Sequence, residues 1–117
     1  RLFVVAMADT KAVAIHGILE KKDKEGRSSK LLKEFPTHHK GAIVSLCFCA
    51  DRKIIVTCGD DTEVKVWNVK GDLLHSANTN QMKNNMATLS ADGRFFAVAT
   101  FTGDVKVWEL LFSKEGL

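Results

Sequence analysis

Val64-Lys65-Val66-Trp67 and, 41 residues further on, Val105-Lys106-Val107-Trp108 are the same four residues in the same order. The offset holds beyond the tetrapeptide. It carries Asp51 onto Asp92, Phe48 onto Leu89 and Gly59 onto Thr100, with no gap. Self-similarity at a period of about 40 residues marks a repeated supersecondary unit that buries its faces by stacking on neighbours. Each tetrapeptide sits in a stretch of period two. In Glu63–Val69, Val64, Val66 and Asn68 share one face of a strand and Lys65, Trp67 and Val69 share the other.

Outward from Trp67 the same texture continues. Ala42–Cys49 and Lys53–Cys58 are short runs rich in Val, Ile, Phe and Cys, joined by the turn cluster Ala50-Asp51-Arg52. Lys70-Gly71-Asp72 turns the chain into Leu73–Ala77. The second copy reads Asn85–Ser90, Arg94–Thr100 and Asp104–Leu110, with a hairpin signal at Asp92-Gly93 and a turn at Thr102-Gly103. Residues 1–37 form an incomplete earlier copy, with strands Leu2–Met7, Lys11–Leu19 and Leu31–Phe35 and with His16 where the later copies carry Trp. Between its last two strands lies Glu20–Lys30, with five basic and three acidic residues, which reads as a solvated loop, with a short helix as the alternative. No stretch has the period of an amphipathic helix.

Four short antiparallel strands in each repeat are the sequence form of a propeller blade. The expected fold is therefore all-β, a partial β-propeller of about two and a half four-stranded blades. Residues 1–37 would supply a partial blade (its second to fourth strands, with the insertion 20–30), 38–78 a complete one, and 79–117 the first three strands of a third. The chain reads as a fragment of a larger propeller of about seven blades.

Composition agrees. In 117 residues, 45% are hydrophobic and 26% charged, which suits a globular chain and excludes global disorder. The longest apolar run, Leu2–Ala8, is far short of a membrane span, and no secretory signal is visible. Seventeen basic against fourteen acidic side chains is not the cationic face of a strong nucleic-acid binder. Three cysteines without small-domain disulfide spacing, and no glycosylation sequon, point to free thiols in a reducing, intracellular compartment.

The two copies resemble the WD-repeat family, which closes each repeat with Trp-Asp and opens it with Gly-His. Here the closings are Trp67-Asn68 and Trp108-Glu109, and the openings His38-His39 and Thr79-Asn80. The resemblance covers nearly the whole chain. It implies a buried chain of hydrogen bonds in the complete blade, running through Trp67, Thr57, His39 and Asp61, with Asp61 buried or nearly so. An indole donor, a hydroxyl that donates and accepts, an imidazole and a carboxylate are the parts such a chain needs. In the next copy Trp108, Val98, Asn80 and Thr102 occupy those positions, so the network should be missing there. Thr79-Asn80-Gln81-Met82, Gly93-Arg94-Phe95 and Asp104–Glu109 look like a branch of the family anchored at the endoplasmic reticulum and linked to stress signalling. That likeness implies a cytoplasmic location, or the cytosolic face of that membrane.

Chemistry-bearing residues mostly read as structure. Cys47, Cys49 and Cys58 share one strand-pair face, but their spacing is not that of a zinc site and Ile54 and Val56 are their neighbours, so they read as core. Phosphate-binding glycine loops are absent, and Asp60-Asp61 point apart. His39, Asp61 and Thr57 could suggest hydrolase chemistry, yet the blade pattern already accounts for all three. No catalytic residue, cofactor or metal is expected. Surface for partners remains. In a propeller one set of loops gathers on a binding face, here Pro36–Gly41, Asp60–Glu63, Asn78–Asn85 and Phe101–Gly103. The candidate contact residues are His38, Lys40, Asp60, Glu63, Asn80, Gln81, Met82, Lys83, Asn84 and Phe101. The expected partners are proteins, beside further blades of the same propeller. The alternative is RNA or a ribosome touched by Lys21, Lys22, Lys24, Arg27 and Lys30.

Overall fold

Alternating apolar strands and short polar turns leave the chain one economical course, a meander in which each strand pairs with the next. The computed structural model describes residues 2–80 and 83–111. These form β1 (Leu2–Ala6), β2 (Ala12–Ile18), β3 (Ser29–Pro36), β4 (Ile43–Cys49), β5 (Ile54–Gly59), β6 (Glu63–Asn68), β7 (Leu73–Asn78), β8 (Asn84–Leu89), β9 (Phe95–Thr100) and β10 (Val105–Glu109). No helix occurs among the described residues. All pairing is antiparallel, in three sheets: β1-β2-β3, β4-β5-β6-β7 and β8-β9-β10. The architecture is an open, partial propeller.

Turn chemistry sets where strands begin. Ser90 and Gly93 close one turn, with Gly93 N donating to Ser90 O at 2.9 Å and φ at 74°. The equivalent turn of the central sheet puts Lys53 at φ 56°, its N donating to Ala50 O at 3.3 Å. Lys53, expected to open a strand, is thus a left-handed turn residue, and β5 starts at Ile54. A β-carbon on Gly93 would lie 2.9 Å from Cys49 Sγ, so glycine is needed both for its conformation and for close approach to β4.

The insertion is an exposed loop up to Ser28, and its side chains hold it in a defined turn. Asp23 Oδ1 accepts the N–H groups of Glu25 and Arg27, and Arg27 Nε lies 2.9 Å from Asp23 Oδ2. This tight turn brings Leu19 N onto Ser28 O at 2.8 Å, so β3 starts at Ser29 rather than Leu31.

Packing follows the face assignments. Ile54, Val56, Cys58, Val64 and Val66 of the central sheet meet Ala87, Phe96, Val98 and Leu110 of the third. Ile55 and Trp67 on the opposite face meet Val13, Ile15 and Phe35 of the first. Strands β5 and β6 are therefore covered on both sides. The three cysteines are free and lie on the face toward the third sheet, where Cys47 Sγ donates to Ala87 O at 3.4 Å. Burial pushes the Cys58 thiol up to about 12, so it stays protonated and behaves as a core side chain.

Double-sided burial predicts an uneven response to truncation. Ile55 is fully buried, so Ile55→Ala should cost about 2–5 kcal/mol in denaturant unfolding. Leu73, which is 48% exposed, should lose about 1 kcal/mol or less on the same change. Equal losses would contradict the assignment of the core.

Candidate functional site

Pairing registers gather a set of loops at one end of the strands. Pro36 lies opposite Ala12, Ile43 opposite Gly59, Glu63 opposite Asn78 and Asn84 opposite Thr100. Among the described residues, 7–11, 37–42, 60–62, 79–80, 83 and 101–104 therefore form one rim.

Two threonines fasten this rim by the same bonds. Thr37 N and Oγ1 both donate to Lys11 O, at 3.2 and 2.6 Å. Thr79 N donates to Thr62 O at 2.9 Å, with Oγ1 lying 3.4 Å from the same carbonyl. Both threonines are fully buried. The residue after each, His38 and Asn80, is left-handed, with φ of 59° and 57°, and its side chain is exposed. Sequence reasoning missed this device. The threonines stand 42 residues apart, one out of step with the repeat that exposed the tryptophans.

Asp61 ties the next loop. Its Oδ2 accepts Lys40 N and Gly41 N at 2.9 and 3.1 Å, and its Oδ1 accepts Glu63 N at 2.9 Å. A β-carbon on Gly41 would collide with the Asp60 side chain, so the close approach requires glycine there. Burial works against the Asp61 carboxylate, but the N–H groups of Glu63, Gly41 and Lys40, together with the His39 ring, hold its pKa below the ordinary 3.8.

Beneath this loop, Trp67 Nε1 donates to Thr57 Oγ1 at 3.0 Å, and Thr57 Oγ1 lies 2.8 Å from His39 Nε2. Because Thr57 Oγ1 accepts from the indole, its own proton is directed to His39 Nε2. The ring proton then sits on Nδ1, facing Asp61 Oδ2 at 3.6 Å. That last contact is electrostatic and too long for a hydrogen bond. Hydrogen bonds thus link Trp67, Thr57 and His39, and in place of the expected further bond an electrostatic contact continues to Asp61. Its side chain is 14% exposed, drawn toward the loop by three backbone donors. Burial holds the His39 ring below its ordinary 6.5, despite the Asp61 charge beside it, so the ring is neutral near pH 7. In the third sheet Val98 replaces Thr57, and Trp108 stacks on Phe96 with ring centroids 4.9 Å apart.

A buried lysine joins the same region. Lys65 is 8% exposed, its Nζ donating to Thr37 O at 2.8 Å and lying 3.4 Å from Glu63 Oε2. Its place between Val64 and Val66, on the face of Trp67, was the signal that it points inward. His39, Asp61 and Glu63 present ligand-type atoms within 4.8 Å of one another. The Asp61 oxygens are occupied by N–H donors, however, and the Lys65 ammonium faces Glu63. The group is a latch by its chemistry. Thr57 is fully buried, so its hydroxyl cannot meet a substrate.

Above the latch lie the expected contact residues. His38, Lys40, Asn80 and Lys83 are exposed, Asp60 and Glu63 half-buried, and Phe101 is 64% exposed. Bonds join them into one surface. Lys11 Nζ donates to Lys40 O at 3.0 Å, and Phe101 N to Lys83 O at 3.1 Å. Asn84 is a correction. It is fully buried in β8, where its Oδ1 accepts Thr79 Oγ1 at 2.7 Å and its Nδ2 donates to Glu63 O at 3.4 Å. It braces the rim from below and offers nothing to a partner. Gln81 and Met82 lie outside the described residues.

Residues 29–68 match the model of the WD domain, G-beta repeat. Along 116 residues, 99% of the chain, the sequence is 36% identical to transducin beta-like protein 2 of Homo sapiens and, equally, of Mus musculus. The chain carries a WD repeat. It spans 26% of the length of these relatives, about a quarter. A chain of the Chaetomium thermophilum Polycomb Repressive Complex 2 bound to GSK126 superposes with a TM-score of 0.77, at 21% identity, over 92% of this chain and 25% of that one. The likeness there is one of fold. The matched WD repeat runs from β3 to β6, and so contains the Trp67–Thr57–His39 bonds and Asp61. No helix among the described residues is long and apolar enough to cross a membrane.

Two measurements test the latch. Trp67→Phe keeps the ring but leaves Thr57 without the indole donor, and should cost about 1–3 kcal/mol. The His39 pKa is lower folded than unfolded, so its contribution to stability is complete above 6.5. As pH falls below 6.5 the unfolded chain takes up the proton first, and stability drops until the folded pKa is passed. His39→Gln should remove this decline, while the loss from Asp61, which sets in below 3.8, should persist. An unchanged slope between these two values in His39→Gln would assign the titration to another group.

Proposed function

We propose that the chain is a non-catalytic protein-interaction segment of a WD-repeat propeller, and that it meets its partners through the rim. The observation that carries this reading is the contrast between base and surface. The loops are held from below by Thr37, Asp61, Thr79 and Asn84, while His38, Lys40, Asn80, Lys83 and Phe101 project above them. Rigid loops with exposed polar side chains and one exposed aromatic ring suit a protein surface, because little conformational entropy remains to be lost on docking. Non-catalysis is supported by the state of the reactive-looking residues. Thr57 is buried, His39 is neutral and enclosed, and the Asp61 oxygens are occupied.

The finer assignment, protein contacts in stress signalling at the cytosolic face of the endoplasmic reticulum, is supported by the family branch that the sequence resembles. The RNA reading is weaker on physical grounds. Arg27, the one guanidinium of the insertion, is already bound by Asp23 and Glu25 at 2.9 and 2.8 Å.

The test is comparative capture. A rim variant combining Lys40→Glu, Lys83→Glu and Phe101→Ala should lose proteins that the native chain retains. Lys70→Glu, at the opposite end of the strands, should retain them. Identical retention by both variants would remove the rim from consideration. If RNA were the partner, binding through 6–10 phosphates would fall about 10³–10⁵-fold between 50 and 200 mM salt.

A further inference from the structure

Strands β3 and β7 are the last of their sheets, and each pairs along one edge only. The chain leaves β3 after Pro36 to begin the central sheet at Ile43, and leaves β7 after Asn78 to begin the third at Asn84. Both edges therefore lie on the outer perimeter, whatever blades flank the array.

The two strands open with the same device. Ile15 pairs with Lys33 and His16 with Leu31, so Leu32 is an extra residue, a bulge in β3. Val66 pairs with His75 and Trp67 with Leu73, so Leu74 is the extra residue in β7. A bulge at a sheet edge re-aims a side chain. Leu74 is aimed into the junction of the central and third sheets and packs on its core. Leu32 is aimed at Gly17, where a β-carbon would lie 3.1 Å from Leu32 Cδ1. Gly17 shares with Val13 and Ile15 the face of β2 that meets the central sheet. That sheet is in place, yet Leu32 is 53% exposed.

Charge separates the two edges further. β7 carries no lysine, arginine, aspartate or glutamate. β3 carries Lys30 and Lys33, and the turn before it carries Lys21, Lys22 and Lys24. Arg27 is bound by Asp23 and Glu25, which leaves these five lysines against Glu20 and Glu34 in residues 20–34. An unpaired edge offers its N–H and C=O groups to any extended chain, and lysines on it guard against pairing with its own kind. A second copy would set Lys30 and Lys33 against the same lysines. An acidic chain meets no such barrier.

We propose that the outer edge of β3 takes up an extended, acidic segment of a partner protein as an added strand. Backbone bonds hold the segment, an apolar residue covers Leu32, and carboxylates meet Lys30 and Lys33. The site shares no contact residue with the rim, so either can fail without the other.

The probe is a fluorescent peptide of alternating valine and glutamate, as long as β3, and the measurement is its anisotropy with the native chain. Binding is expected, and none by the counterpart of valine and lysine. Lys30→Glu with Lys33→Glu should weaken binding about tenfold or more. Leu32→Ser should also weaken it. Leu73→Ser on β7 should not, nor should the rim variant Lys40→Glu, Lys83→Glu and Phe101→Ala. The same peptide N-methylated throughout keeps its charges but donates no backbone bond, and should fail to bind. Equal binding by the methylated peptide, or by an oligouridylate, would mean that charge alone attracts and would overturn the added strand. So would a native chain that ignores the probe, or equal losses in Leu32→Ser and Leu73→Ser. Far-ultraviolet circular dichroism checks that each variant is folded. If the glutamates disrupt β3, Lys30→Gln and Lys33→Gln take their place, and the methylated peptide tests the native chain in either case.

Discussion

Face-to-face packing of sheets is the constraint on which this molecule depends. A meander of three or four short strands has two apolar faces and cannot cover either by itself. The central sheet resolves this by lying between two others, so Ile54, Val56, Val64 and Val66 are enclosed on one side and Ile55 and Trp67 on the other. Burying a side chain of this size contributes about 1.5–3 kcal/mol, so the stability of the array resides in the junctions between sheets more than in any one sheet. Each outer sheet has one face enclosed against the central sheet.

Close packing of β5 and β6 has a polar consequence at their ends. Strands covered on both sides bring loop backbone into contact with apolar neighbours, where unpaired N–H and C=O groups are costly. The rim answers with side chains that complete the backbone's bonds. Thr37, Thr79, Asn84 and the Asp61 carboxylate serve donors and acceptors that no strand reaches. Lys65 follows from the same need, since its buried ammonium meets the Thr37 carbonyl and the Glu63 carboxylate. A surface supported in this way is stiff beneath and free above.

The two tryptophans show how one repeat position can hold two solutions. Trp67 gives its N–H to Thr57 and meets Phe35 of the first sheet at a tilt, with centroids 5.0 Å apart. Trp108 lies flat on Phe96, beside Val98, in the position where Thr57 would be. A polar network and an aromatic stack both fill the wedge between sheets. The second strand supplies threonine in one and valine in the other, and Asn80 and Thr102 stand where the network has His39 and Asp61.

The strand order and the assignment of faces were legible in the chain itself, because they follow from period-two alternation and from the 41-residue echo around Trp67 and Trp108. Trp67, Thr57, His39 and Asp61 were marked as a set by the resemblance to the WD-repeat family. What alternation cannot express is how loops close. The Thr37 and Thr79 bonds and the capture of Asp61 by the N–H groups of Lys40 and Gly41 depend on backbone from segments far apart in sequence. The burial of Asn84, in a loop that reads as polar and exposed, was decided in the same way. A side chain's period determines which face of a strand it takes. Only the assembled neighbours determine whether that face, or that loop, meets water.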